Sequence, residues 1–195
     1  NPVIVGTVNI LNTATSYPAP YGNWYWGSRH QMLITAADLT AAGLTAGMIT
    51  ALSFEIANIN LTQPLNNYEI KLGTTAATAI TTFQVGPMTT VFTSATYMPT
   101  VGVNTHTFSV PFFWDGVSNL IVETCHNNTS FTENATFRQT ATAYNSTVYY
   151  RADAAGVCSN TAVTGFNAQR PNMHFWRSTG TWSYSWSPGA SLSDS

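Results

Sequence analysis

Two strand-like runs dominate the pattern of apolar and polar positions, both within residues 101–128, VGVNTHTFSVPFFWDGVSNLIVETCHNN. In the first, Thr105, Thr107 and Ser109 alternate with His106, Phe108 and Val110, the period of a strand with one buried face. In the second, Leu120, Ile121 and Val122 are continuously apolar, as expected of a buried central strand. Trp114-Asp115-Gly116 between them reads as a turn, with Gly116 free to take positive φ. The pair is expected to form one long hairpin, with the remaining strands added to it.

The same pattern organises the rest of the chain. Residues 1–12 are apolar and β-branched without an adjacent hairpin partner, a strand expected to pair in its own sheet or with another subunit's edge. Residues 16–22 (SYPAPYG) are broken by proline and predict a loop, and residues 31–34 predict a strand. Thr35 and Asp38 form a capping box for a helix over residues 36–42, which Gly43 ends. Residues 49–56 predict a strand with Leu52, Phe54 and Ile56 inward and Ser53 and Glu55 outward. Residues 65–72 repeat this, with Tyr68, Ile70 and Leu72 inward against Glu69 and Lys71. The Ala/Thr-rich residues 73–82 lack bulky anchors and predict an exposed crossing. Residues 89–92 and 96–99 are two short extended pieces, and residues 126–135 a polar loop. Residues 137–150 carry strand signals broken at Asn145-Ser146, and residues 173–176 a last core strand. The sum is an all-β fold with one short helix.

Composition narrows the setting. Hydrophobic residues make up 44% of the 195 residues but charged ones only 7%, against roughly 25% in an ordinary soluble domain. With net charge -2 and Lys71 as the only lysine, there is no electrostatic footprint for nucleic acid or anionic lipid. No basic leader and no apolar run of membrane length occurs, so no membrane insertion is expected, and the chain reads as a mature or excised exported segment. Cys125 and Cys158 form an even pair without CxxC spacing, either a disulfide or two buried thiols. The disulfide would stabilise the fold by about 3–4 kcal/mol through loop closure.

Three runs carry a resemblance: RHQMLITAADLTAAGLTAGMITALSFEI, NTHTFSVPFFWDGVSNLIVETC and RPNMHF. In order and spacing, they resemble a module that recurs in large secreted proteins of Bacteroidota. The resemblance implies a secreted or surface-attached, jelly-roll-like antiparallel β-sandwich, set in tandem with Ig-like or PKD-like domains. The tail TWSYSWSPGASLSDS resembles the opening of such a neighbour. The expected organisation is an N-terminal strand and linker (residues 1–22), the sandwich module (23–178), and a tail starting or contacting another domain (179–195).

Chemistry is thinly signalled. Asp115, Glu123 and Glu133 are the carboxylates that a glycosidase pair would draw on, but Asp115 serves a turn and Glu123 adjoins a cysteine. His30, His106, His126 and His174 lack metal-ligand spacing, and His106 and His174 read as hydrogen-bonded core residues. No GxSxG elbow frames a serine, and Asp-rich calcium loops are missing, leaving Asp115 or Asp153 with backbone carbonyls as the one Ca²⁺ option. No enzyme and no cofactor are expected. Trp24, Tyr25 and Trp26 form a possible glycan platform or a cap on the sandwich. Sequons occur at Asn60, Asn127, Asn128, Asn134 and Asn145, the cluster 127–134 marking an exposed loop.

The two ends suggest assembly. Val3, Ile4, Val5, Val8 and Ile10 at one end, and Trp182, Tyr184 and Trp186 at the other, are apolar rows needing cover. The leading expectation is therefore an extracellular structural subunit or repeat of a surface filament or adhesin, joining copies of itself or neighbouring repeats head-to-tail. The alternative is a carbohydrate-binding module with polysaccharide as partner.

Overall fold

The apolar and alternating runs become thirteen strands in the described residues, 1–6 and 10–178, of the computed structural model. These are β1 (Val3–Val5), β2 (Ile10–Leu11), β3 (Gly27–Ile34), β4 (Gly47–Asn58), β5 (Leu65–Thr75), β6 (Thr89–Tyr97) and β7 (Gly102–Trp114). After them come β8 (Asn119–Asn127), β9 (Thr136–Ala141), β10 (Thr147–Ala152), β11 (Gly165–Asn167), β12 (Gln169–Pro171) and β13 (Met173–Arg177). All pairings are antiparallel and fall into two sheets. The first runs β1-β13-β4-β9-β12, with β2 on β9 and β7 on β4; the second runs β11-β10-β3-β8-β5-β6. The protein is an all-β sandwich with one short α-helix.

The core lies between the sheets. Leu52, Phe54 and Phe175 from the first meet Met32, Ile70, Leu72, Leu120 and Val122 from the second, all fully buried. Each such side chain contributes about 1.5–3 kcal/mol by leaving water. The helix α1 (Ala36–Ala41) starts where the Thr35 hydroxyl accepts the Asp38 N–H at 3.1 Å, and it drops Leu39 into this core.

The expected hairpin does not exist. β7 pairs with β4 in the first sheet, whereas β8 lies between β3 and β5 in the second. The Asp115 turn, with its carboxylate accepting the Val117 and Ser118 N–H groups, therefore crosses from one sheet to the other. The physical reason is in the side chains. β8 is apolar on both faces and has to be central, while β7 alternates and has to be an edge. β7 also bulges: Thr107 faces Ala51 and Phe112 faces Ile49, leaving Phe108–Pro111 against a single β4 residue. Pro111, which has no N–H to give a ladder, sits in that bulge.

Other expectations change with the packing. Residues 73–75 belong to β5, and Ile80 and Phe83 beyond them are buried with Leu33, Ile121 and Val148 against the outer face of the second sheet. Gln31 fixes this covering segment, donating to Gln84 O at 3.0 Å and accepting the Gln84 N–H at 2.6 Å. The two extended pieces after it are one strand, β6. Ser53 points outward yet is fully buried, because the Trp176 indole N–H donates to it at 2.9 Å. Trp176 thus covers the outer face, while Met173 and Phe175 fill the core.

Residues 1–22 are no linker ahead of the module. β1 pairs in register with β13, and Tyr17, Ala19 and Tyr21 are buried. The strand over residues 1–12 is two short pieces, with Val5 buried and Val3 packed on the core. Val8, and the tail with Trp182, Tyr184 and Trp186, lie outside the described residues.

Candidate functional site

A cleft of about 400 Å³ opens between α1, β1 and the connection from β9 to β10. Its floor is Arg170, whose side chain is only 4% exposed. One guanidinium nitrogen, Nη1, donates to the Leu33 carbonyl at 2.8 Å, the Tyr144 hydroxyl at 3.0 Å and Asp38 Oδ2 at 3.3 Å. Tyr144 in turn donates to Asp38 Oδ2 at 2.5 Å. Partial burial alone would raise the Asp38 carboxyl, but the Tyr144 hydrogen bond and the Arg170 charge outweigh it and hold the acid below its usual range. The result is a fixed carboxylate at the rim, 38% exposed, above an otherwise alanine-rich wall of Ala41, Ala42, Ala141 and Ala143. Sequence reasoning gave Asp38 only a capping role and passed over Tyr144 and Arg170. They stand 106 and 132 residues from Asp38, so no local pattern joins them.

The aromatic run is brought together only in part. Trp24 meets Phe131 edge-on at 6.2 Å, and Phe131 is 55% exposed. Tyr25 is used internally: the Arg151 guanidinium lies 4.6 Å from its ring centre and 4.5 Å from that of Tyr17. Trp26 is half-buried, its backbone N–H donating to Asp153 Oδ1 at 3.1 Å. Any glycan ledge here is therefore Trp24 with Phe131, a residue the sequence reading left in a polar loop.

Carboxylates and histidines serve the fold. Glu123 is buried and accepts from Arg29 at 2.8 Å and Gln31 at 2.7 Å, with Lys71 at 3.5 Å. Lys71 pairs with Glu69 at 2.8 Å. Asp115 is held by its own turn, so the two acids form no pair. Three histidines lie inside the sandwich. The Tyr21 hydroxyl and His106 Nε2 are 2.6 Å apart, and His30 Nε2 accepts the Ala19 N–H at 3.1 Å. Burial pushes His30, His106 and His126 down to about 3, so their rings are neutral. His174 is also buried, but on the outer face beside Ser53.

Cys125 and Cys158 are joined as a disulfide, their Cα atoms 5.6 Å apart. Among the described residues, one group brings three ligand-type atoms within 4.8 Å, namely Glu69, Cys125 and Cys158. The sulfurs are bonded to each other and Glu69 to Lys71, so this is no ready metal site. No helix in the described residues is long and apolar enough to cross a membrane.

The sequons are largely structural. Asn128 and Asn134 are buried, donating to the Pro64 and Ser16 carbonyls at 2.8 and 3.1 Å. Asn60 donates to the Asn134 carbonyl at 2.8 Å. These three side-chain nitrogens are committed to the fold, and Asn127 and Asn145 are half-buried; in the loop expected to be exposed, Thr129, Ser130 and Phe131 are the exposed residues. Compared with known proteins, the chain matches no family model, no curated protein and no solved structure.

Proposed function

We propose that the chain is a structural β-sandwich module of an exported, surface-associated protein, joining copies of itself or neighbouring repeats head-to-tail. The observation that carries this reading is at the N-terminal strands. Their backbones are paired, yet Ile4, Ile10 and Leu11 remain 48%, 36% and 47% exposed. Apolar side chains left this far in water favour a protein contact where another apolar row can cover them. The alternating aromatics Trp182, Tyr184 and Trp186 of the next copy are the proposed partner. Such a contact joins unlike surfaces and propagates as an open fibre. The disulfide supports an oxidising, non-cytoplasmic setting, and the sparse charge and internally paired acids support a role without catalysis. The resemblance to a Bacteroidota secreted module points to the same setting. Electron microscopy of the purified protein tests the reading: filaments or chains are expected, and isolated particles at every concentration would refute it.

A second reading rests on the ledge of Trp24 and Phe131, which would stack against polysaccharide. Retention on insoluble cellulose, chitin or xylan, lost in Trp24→Ala, is its expected result; passage through all of them counts against it.

A further inference from the structure

We propose that the cleft floored by Arg170 binds a neutral, hydroxyl-bearing ligand, a terminal sugar residue or a polyol of similar size. This site is separate from the Trp24 ledge, and it shares Ile4 with the proposed assembly surface.

Three features carry the inference. First, a cleft of about 400 Å³ falls in the size range of small-ligand sites, roughly 300–1,000 Å³. It exists because small residues stand where larger ones would close it: Ala42 on the helix side and Ala143 on the opposite wall. Second, a charged side chain buried at a groove floor is costly unless paired. Arg170 is paired so as to hold the Asp38 carboxylate and the Tyr144 hydroxyl in place before anything binds. A strap between β12 and α1 needs only the Arg170–Leu33 and Arg170–Asp38 contacts. It gives no reason for a partly open carboxylate above an unfilled space. Third, polar groups from the helix, the floor and the β9–β10 connection meet at Asp38 Oδ2, as in sites that orient a ligand.

The charge pattern selects the ligand class. The guanidinium offsets the carboxylate, so a cation gains little net attraction on entering, and an anion meets the exposed oxygen of Asp38. A neutral molecule with adjacent hydroxyls loses less hydration and can donate to an ionised, pre-oriented acceptor, a hydrogen bond stronger than a neutral pair makes. The Tyr144 ring packs partly on the buried cluster around Leu33 and Val148 and also lines the cleft. It offers a flat apolar surface to the C–H face of a sugar ring.

NMR titration of the isotope-labelled full chain with a neutral methyl hexoside tests this, with glucosamine and glucuronate as charged controls. Saturable shifts are expected at the amides of residues 41–42 and 141–144, with binding at least tenfold weaker for either charged sugar. Asp38→Asn should weaken hexoside binding at least tenfold. Ala143→Trp, at an exposed position, should abolish it with the circular dichroism spectrum unchanged; if that variant fails to fold, Ala143→Leu replaces it. The proposal is overturned by no saturable shift at these amides, by shifts that survive both variants, or by preference for a charged sugar. Shifts confined to Trp24 and Phe131 would also overturn it, and would favour the ledge instead.

Discussion

At the scale of single residues, the interior holds histidines and other polar side chains beside the apolar ones, and their chemistry sets how it responds to acid. His30, His106 and His126 are held neutral by burial, with pKa values near 3 against 6.5 when exposed. The unfolded chain therefore binds protons at pH 5 that the folded chain does not. Their contribution is intact above pH 6.5 and is lost as pH falls toward 3, by about 1.4 kcal/mol per pH unit for each ring. Urea midpoints are expected to drop steeply between pH 7 and pH 5, and a flat profile would show that the rings are not buried neutral. Glu123 makes a second case. Replacing it with Ala takes the carboxylate from Arg29, Gln31 and Lys71 and leaves Arg29 only its Asn160 carbonyl and the Phe83 ring, which should cost about 3 kcal/mol in chemical denaturation, the low end for a broken buried pair. The sequence marks His106 as a hydrogen-bonded core residue but not its partner, and it gives no role to Glu123 in the fold. The alternation of His106 with Phe108 shows which face a ring occupies, but its Tyr21 partner comes from a loop 85 residues away. The same distance effect hid Asp38, Tyr144 and Arg170.

At the scale of elements, most strands were legible because each has to bury one face. Leu52, Phe54 and Ile56 in β4, and Tyr68, Ile70 and Leu72 in β5, are all buried as their alternation predicts. The Thr35 cap and short helix were legible for the equally local reason that the capping side chain and its acceptor lie three residues apart. Pairing was not. A run of apolar residues says that a strand is central, never which strands flank it, and the nearest neighbour in sequence was the wrong choice for β7 and β8. The turn between them misled because a cross-sheet corner and a hairpin use the same Asp and Gly. The disulfide ties β8 to the 3-10 turn Val157–Ser159, which rests against β3 and β8. Cys125→Ser with Cys158→Ser should lower stability by about 2–5 kcal/mol, read as a shift in denaturant midpoint. An unchanged midpoint would mean that packing alone holds this segment.

At the scale of the whole molecule, the sandwich hides most of its chemically active side chains and leaves apolar ones in water. Only three residues of the sequence separate Gly6 from the exposed Ile10 and Leu11, while Ile4 lines the Arg170 cleft. This surface could not be read from the sequence, which marks residues 3–11 as apolar without telling that Val3 and Val5 turn inward. The central claim is that this surface receives the tail of another copy. Sedimentation velocity of the full chain, from micromolar to millimolar, tests it most directly. The account predicts a series of species growing with concentration and without a limiting size, collapsing to monomer in the double variant Ile4→Asp, Leu11→Asp. A single 21.1 kDa species across the whole range would contradict it.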